Sequence, residues 1–388
     1  STRSVSADPT GRSLTVFGIN YAPEPSGNAP YTAGLSEHLV QSGWNVTVVT
    51  GYPHYPAWKR QDAPKQSTLD GVVVTRAPHT VPTSSSAGQR GLFELTSLLG
   101  ALPAALRKRD TDVVVGVVPN LSGAVLARVA ATRNRVPCVI WFQDLMGSAA
   151  QQSGTSGGGR VAGLVEGIET FFARRANRVL IVAEGFRSRF ETAGVDTASI
   201  VRVRNWDLLP PRSVSRDETR DQFGIDRSAS VALHSGNMGM KQGLDVVLDA
   251  ADRLPEVTFI LQGDGNAREG LKSAVAARGL TNVRFLPSLP SQDLANLLAA
   301  ADVLLVTQRA AVSNMSLPSK LAAYAGAGVP IVASVNTESE TAHELEQREL
   351  GSVVQPGDPD ELALAVQLIV AQPGATRSVE EPSRPASG

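Results

Sequence analysis

Two segments in the second half of the chain bring lysine to a turn that leads into a helix. Ser235-Gly236-Asn237-Met238-Gly239-Met240-Lys241-Gln242-Gly243 follows the apolar run Val231-Ala232-Leu233. Ser316-Leu317-Pro318-Ser319-Lys320-Leu321 follows Val303-Leu304-Leu305-Val306 and opens a helix. Glycine lets backbone approach a ligand closely, and free N–H groups at a helix start attract anions. In the first turn Asn237 can donate a hydrogen bond beside Gly236, and Lys241 supplies a cation; the bland reading is a tight loop that needs glycine for geometry alone. In the second turn Pro318 pre-sets the helix start and Ser319 can cap it. Lys320 there opposes the helix dipole, a placement that makes sense if a phosphate shares the site. Two such turns, ending in Lys241 and Lys320, read as jaws around a diphosphate.

Other polar residues border the same region with weaker signals. Gly263-Asp264-Gly265 ends the run Val257–Gln262; Gly270 falls too late for a dinucleotide fingerprint, so Gly265 reads as a backbone turn beside the donor site. Glu340 is a candidate acceptor for ribose or sugar hydroxyls, although Ser339 and its neighbouring acids could simply cap a helix. In the first half, Asn20 to Tyr31 form a proline-rich loop in which Glu24 could accept hydrogen bonds from an acceptor sugar and Gly27 permits close approach. Asp144 ends Cys138–Phe142 and could orient a hydroxyl. Asp110-Thr111-Asp112 precedes its strand rather than following it, and reads as surface. The five histidines show no metal-ligand spacing, so no metal site is expected.

Positioning these residues takes alternating strands and helices. Strand-like runs recur at Leu14–Ile19, Val46–Thr50, Val72–Arg76, Val113–Val118, Cys138–Phe142 and Arg178–Val182, with helical patterns between them. The series restarts at Ser230–His234 and continues through Val257–Gln262, Val283–Phe285, Val303–Val306 and Pro330–Ser334. Such alternation predicts parallel sheets covered by helices, an α/β class. A chain of 388 residues exceeds the roughly 250–300 at which single cores stop growing. The paired prolines Pro210 and Pro211 mark the division. The expected units are therefore 1–207 and 208–371, with a Pro/Ser/Gly-rich tail at 372–388 expected to be disordered. Ligands bind at the carboxyl ends of such sheets, so a cleft between the two domains is the expected site.

A net charge of −1 and pI near 6.5 argue against a general nucleic-acid binder. Lone Cys138, in an apolar run, reads as a structural thiol of a reducing compartment. No apolar stretch reaches the roughly 18 residues of a membrane span, and Ser1 to Arg12 carry no secretory apolar region. A cytoplasmic enzyme is expected. Arg90 to Arg109 combine apolar helical spacing with a basic end. A core-facing helix is the commoner meaning of that pattern, and peripheral contact with the inner face of a membrane the other.

With these residues in view, the chain resembles the GT-B-fold retaining glycosyltransferases of family 4, in the branch that builds bacterial capsule, O-antigen and colanic-acid-type polysaccharides. The likeness spans nearly the whole chain. It rests on Tyr21-Ala22-Pro23-Glu24 with Gly27, Gln143-Asp144-Leu145, Asn205-Trp206, Gly236-Asn237 with Gln242-Gly243, Pro318-Ser319-Lys320-Leu321 and Gly328-Val329-Pro330-Ile331-Val332-Ala333-Ser334. The family's glutamate pair falls here on Met315 and Ala323, its phosphate-binding arginine near Asn237, and its usual histidine beside Asp144 is Gln143.

The resemblance implies two Rossmann-like domains facing an interdomain cleft. The first would hold the acceptor (Glu24, Gly27). The second would hold a nucleotide-diphosphate sugar through Gly236, Asn237, Gly265, Ser319, Leu321 and Glu340. Lys241, Lys320 and Asp144 would carry the catalysis, with no cofactor and no metal. The expected reaction moves a hexose or N-acetylhexosamine, from a UDP-sugar for preference, to a glycan, a lipid-linked acceptor or a small molecule. A nucleotide-sugar epimerase and a non-catalytic nucleotide-sugar binder are the competing readings; the incomplete glycine fingerprint weakens a dinucleotide-dependent dehydrogenase.

Overall fold

The computed structural model describes residues 11–25, 27–55, 57–84, 86–145, 158–311 and 320–371. It divides into two units, Ser1–Arg204 and Asn205–Gly388. The expected division fell after Asp207; the expected disordered tail lies outside the described residues.

The first unit runs β1 (Ser13–Phe17), α1 (Ala29–Gln41), β2 (Asn45–Gly51), β3 (Gln66–Leu69), β4 (Val72–Ala77), α2 (Ala87–Leu106), β5 (Val113–Val118), α3 (Leu121–Asn134), β6 (Cys138–Phe142), α4 (Gly158–Arg175), β7 (Arg178–Ile181), α5 (Gly185–Thr192) and β8 (Ile200–Arg202). Its strands lie in the order β3-β4-β2-β1-β5-β6-β7-β8, all parallel except β3 against β4. β5 is Val-Val-Val-Gly-Val-Val and buried along almost its whole length, because helices cover both faces of a parallel sheet and alternation has no use there. Short, polar β3 escapes a hydrophobicity pattern. Its signal is Asp70-Gly71, both at positive φ, the pair that closes a two-residue hairpin.

The second unit begins with α6 (Arg216–Gln222), started by a Ser215/Glu218 capping box. It continues through β9 (Ser230–Ser235), α7 (Asp245–Arg253), β10 (Val257–Gln262), α8 (Arg268–Arg278), β11 (Val283–Leu286), α9 (Ser291–Ala300), β12 (Val303–Thr307), α10 (Lys320–Ala327), β13 (Ile331–Ser334), α11 (Glu340–Gln347), β14 (Gly351–Val354) and α12 (Pro359–Val370). The all-parallel order is β11-β10-β9-β12-β13-β14. This is the Rossmann order, which reverses direction between its first and fourth strands, here β9 and β12. Two apolar cores sandwich the sheet. Val247, Phe259, Leu261 and Leu362 belong to one; Leu233, Ile260, Leu304, Leu321 and Tyr324 belong to the other.

Both units are thus Rossmann-like α/β domains. Cys138 is buried in β6, and burial pushes its thiol up to about 11, the state of an inert packing residue. Among the described residues no helix is long and apolar enough to cross a membrane.

Candidate active site

The reversal point of the second sheet brings three of the expected donor residues, Gly236, Asn237 and Gly265, together with Lys320. β9 ends at Ser235 and the chain turns at Gly236, whose φ of +115° only glycine adopts without strain. A side chain there would also approach Lys320: a Cβ on Gly236 would stand 3.6 Å from Lys320 Cε. The bare glycine and the lysine, 84 positions apart in the chain (320 − 236), therefore meet at one spot.

Lys320 is the first residue of α10, and Tyr324 sits one turn later on the same face. The buried Tyr324 hydroxyl accepts a hydrogen bond from the Ser235 N–H at 2.7 Å, and Leu305 O lies 3.4 Å from it. Tyr324 thereby fixes α10 against the ends of β9 and β12, and so fixes Lys320. The Lys320 ammonium lies 3.3 Å from His234 Nε2. Burial pulls the lysine pKa down to about 7, from an ordinary 10.5. His234, wholly buried, is driven well below its ordinary value by burial and by the lysine charge, so its ring is neutral. With the ring neutral, Nε2 can accept from the ammonium in the tautomer that carries its proton on Nδ1, a buried atom with no hydrogen-bond partner. Among the described residues no carboxylate pairs with Lys320. Partial burial, the positive end of a helix and a missing counter-charge all raise the energy of this cation, and all three are relieved by an anion.

The glycine turn is braced from two sides. Gly236 N donates to Gln262 O at 2.9 Å, and Met238 N donates to Asp264 O at 2.8 Å. This contact explains Gly263 and Gly265: a Cβ on the first would stand 2.0 Å from Gly236 O, and on the second 2.5 Å from Met238 O. Gly265 also faces Asn237, whose Oδ1 a Cβ would approach to 2.7 Å. On the other side Arg309, just after β12, clamps the turn. Its N–H donates to Lys241 O at 2.9 Å, its Nε to Met240 O at 2.8 Å, and its Nη2 to Asp245 Oδ1 at 2.7 Å. Lys241 is exposed on that clamped turn.

The other expected residues have internal partners or surroundings of their own. The Leu321 side chain is 1% exposed and packs in the core with Tyr324 and Leu304, so only its backbone N–H, in the first turn of α10, is left to meet a ligand. The Glu24 carboxylate is occupied by internal donors. It is 5% exposed; its Oε1 accepts from the N–H groups of His54 and Tyr55 at 2.8 and 2.9 Å, and its Oε2 from Asn20 Nδ2 at 2.8 Å. The carboxylate joins the loop after β1 to the loop after β2. Gly27, with φ +70°, belongs to the same arrangement, since a Cβ there would meet Tyr55 at 3.3 Å. Glu340 is 6% exposed in the first turn of α11, where the acid suits the helix dipole; Ser339 Oγ caps that helix by accepting from Ala342 N. Asp144 follows β6 and is exposed, with Oδ1 accepting from Leu145 N at 2.8 Å. Asp112 lies at the amino end of β5, tied to Ser13 N at 2.7 Å, as a motif on the wrong end should. Ser319 lies outside the described residues. Among the described residues no group of three His, Cys, Asp or Glu is arranged to hold a metal ion.

His234, Tyr324 and Arg309 are the residues that the sequence reading passed over. An imidazole inside the apolar run 231–235 and a tyrosine four residues after Lys320 were visible signals. Arg309 had none, because only the fold brings it over the glycine turn.

Comparison with known proteins settles the family. A "Glycosyl transferase 4-like domain" matches residues 26–206, and "Glycosyl transferases group 1" matches 215–384. The chain belongs to the family 4 glycosyltransferases. It is 31% identical over 325 residues to WcaI of Escherichia coli, a glycosyl transferase named for colanic acid biosynthesis, covering 79% of each chain. It is 25% identical to the 2-deoxystreptamine glucosyltransferase of Streptomyces kanamyceticus, covering 87% of this chain and 88% of that one. The fold matches sucrose-phosphate synthase from Thermosynechococcus elongatus (TM-score 0.70, 16% identity) and Anabaena HepE solved with UDP (TM-score 0.65, 18% identity), each covering 94% of this chain and 91% of the other. This family-4 glycosyltransferase therefore has the GT-B pair of Rossmann-like domains, and its chemistry uses a nucleotide sugar.

Proposed function

We propose that this family-4 enzyme is a retaining glycosyltransferase that moves a hexose or N-acetylhexosamine from a UDP-sugar to a glycan, lipid-linked or small-molecule acceptor. The observation that carries the reading is the Lys320 ammonium, held at the start of α10 beside neutral His234 with no carboxylate partner and with its pKa pulled to about 7. The donor diphosphate would lie across the bare Gly236 turn, with one oxygen on Lys320 and Lys241 closing from the other side; Asn237 and Ser319 would add hydrogen bonds.

As the bond from the anomeric carbon to the phosphate oxygen breaks, positive charge develops on the sugar ring and negative charge on the leaving UDP. Two ammonium groups and helix amides stabilise that leaving charge in place of a metal ion. A ligand phosphate also raises the Lys320 pKa, so the lysine is charged when it is needed. Retention follows from same-face attack, with a donor phosphate oxygen taking the acceptor's hydroxyl proton and Asp144 orienting that hydroxyl. The first unit binds the acceptor in this reading.

A UDP donor is supported by the HepE structure with UDP-glucose, and the two named relatives are a colanic acid biosynthesis glycosyl transferase and a 2-deoxystreptamine glucosyltransferase, which keeps the acceptor class broad. The proposed location is the cytoplasm, with no nucleic-acid partner. The test is a panel of UDP-, GDP- and dTDP-sugars, with nucleoside diphosphate release followed with and without sugar acceptors. Acceptor-dependent UDP release and a product keeping the donor's anomeric configuration are expected. An isomerised donor without transfer would make the enzyme an epimerase, and binding without turnover would make it a sensor.

A further inference from the structure

Trp58 stands in the loop after β2, at the carboxyl end of the first sheet, and is 48% exposed. Its φ is +49°, a left-handed conformation that a bulky side chain adopts only against steric resistance and that glycine adopts freely. The loop holds it there all the same. Lys59 N donates to His54 O at 3.1 Å and Gln61 N to Pro53 O at 2.8 Å, which ties down the segment that carries the indole. The ring is held as well. His54, Tyr55 and Phe93 meet it with centroids 5.8, 5.6 and 6.2 Å away, at interplanar angles of 57°, 90° and 74°. All three angles are steep, so none of these rings lies flat on the indole.

The same loop carries a cation. The guanidinium of exposed Arg60 lies 4.1 Å from the centroid of the Tyr52 ring, and among the described residues no carboxylate pairs with it. Stacking takes up the flat face of the guanidinium and leaves its N–H fork, which runs in the plane, for oxygen atoms of a ligand. A pyranose answers to both features. The C–H bonds on one face of a sugar ring carry slight positive charge and are attracted to the negative face of an indole, while the hydroxyls at its rim accept hydrogen bonds. A protein partner needs a far larger contact than one ring and one arginine. The place fits too, since ligands of open α/β sheets bind at the carboxyl ends of the strands and β2 lies next to β1.

We propose that Trp58 is the stacking platform for a pyranose ring of the acceptor, with Arg60 on the hydroxyls of that ring. This rests on the reading that the first unit binds the acceptor and narrows it: the docking end of the acceptor is a pyranoside, whether or not a lipid is attached further along. The experiment titrates the full chain, without donor, with the methyl pyranosides of glucose, galactose, mannose and N-acetylglucosamine. Tryptophan emission and calorimetry follow binding. At least one pyranoside should quench and blue-shift the emission of Trp58. Trp58→Phe should lose that optical signal yet keep calorimetric binding within a few-fold, and Trp58→Gly should weaken binding about tenfold. Because glycine takes φ +49° freely, the relieved backbone offsets the lost ring contacts, and the melting temperature of Trp58→Gly should stay close to that of the wild type. Phe171→Ala, at a comparably exposed ring of α4, should change nothing. Pyranoside binding without any transfer would leave the platform standing and count against the transferase reading. Transfer with an unchanged acceptor KM in Trp58→Gly, no pyranoside altering the emission, equal binding by Trp58→Gly, or a light-scattering mass showing a dimer that Trp58→Gly dissociates would overturn the platform.

Discussion

In the first unit, the loops that leave β1 and β2 are joined by Glu24, whose oxygens are taken up by His54, Tyr55 and Asn20, while buried Arg76 donates to Ala22 O and Gly51 O. In the second unit, the turn that leaves β9 faces Lys320, whose one described polar contact is a neutral ring. Both sheets reverse at the corresponding place, and both bring an ionisable group there. The difference lies in what meets the charge. A carboxylate surrounded by internal donors is a fastening; an ammonium without a counter-charge is open to an anion. The ionisable residue alone does not distinguish these, and its partners do.

The sharpest way to break the contrast is at the fastening. Glu24→Ala leaves two buried backbone N–H groups and the Asn20 amide without acceptors, which should cost about 3–5 kcal/mol of stability. Denaturant unfolding should show that loss, while UDP affinity of the folded protein stays within about twofold. A variant with unchanged stability would mean that the carboxylate is not fastening the loops.

Lys320→Met should do the reverse. Removing the cation is expected to weaken nucleotide-sugar binding roughly 10- to 100-fold, the range of a charge-assisted hydrogen bond. Stability should rise by on the order of 1–2 kcal/mol below pH 7, because a poorly solvated ammonium is removed from the fold. Calorimetric titration and thermal unfolding read the two effects, and a melting temperature that falls together with unchanged affinity would assign Lys320 a structural role.

Much of this contrast was visible in the residues before any coordinates. The meeting of Gly236 and Lys320 was foreshadowed because glycine and a helix-start lysine are local signals. The alternating strands gave the α/β class for the same reason. The internal partners of Glu24 were not legible because a carboxylate in a proline-rich loop looks exposed until β2 brings the N–H groups of His54 and Tyr55 to it from 30 and 31 positions away. The burial of the Leu321 side chain was not legible because neighbours of Lys320 share its helix but not its face. Arg309 and the Gly263/Gly236 contact depend on strand order, which no single segment encodes. Edge strands β3, β8 and β14 went unnoticed because short, half-exposed strands need little apolar pattern.

A third prediction concerns pH. Free Lys320, at a pKa near 7, is charged below that value, and a bound diphosphate raises its pKa. Binding above pH 7 must therefore take up a proton, so affinity is flat below about pH 7 and falls by up to about tenfold per unit above it. A nucleotide-diphosphate sugar is the right probe, since its bridging diphosphate keeps its charge across this range. The same lowered pKa makes the unfolded chain bind more protons than the folded one from about pH 7 to 10.5, so this group's contribution to stability rises with pH in that window. An affinity that is constant from pH 6 to 9 would contradict the lowered pKa.

Tyr324→Phe is expected to have a smaller effect, about 1–2 kcal/mol in stability, by leaving the buried Ser235 N–H without its acceptor. Because Tyr324 sets the helix that carries Lys320, donor affinity should fall a further few-fold. Equal affinity and stability in the phenylalanine variant would remove that positioning role. Smallest of all, Lys241→Ala should raise the donor KM by only a few-fold, since its ammonium is exposed and screened.

The most direct measurement is a structure of the full chain with UDP bound. The account predicts the diphosphate on the Gly236 turn, with an oxygen about 3 Å from Lys320 Nζ and the first unit's Glu24 contacts unchanged. A diphosphate seated elsewhere, with Lys320 still facing only His234, would contradict it.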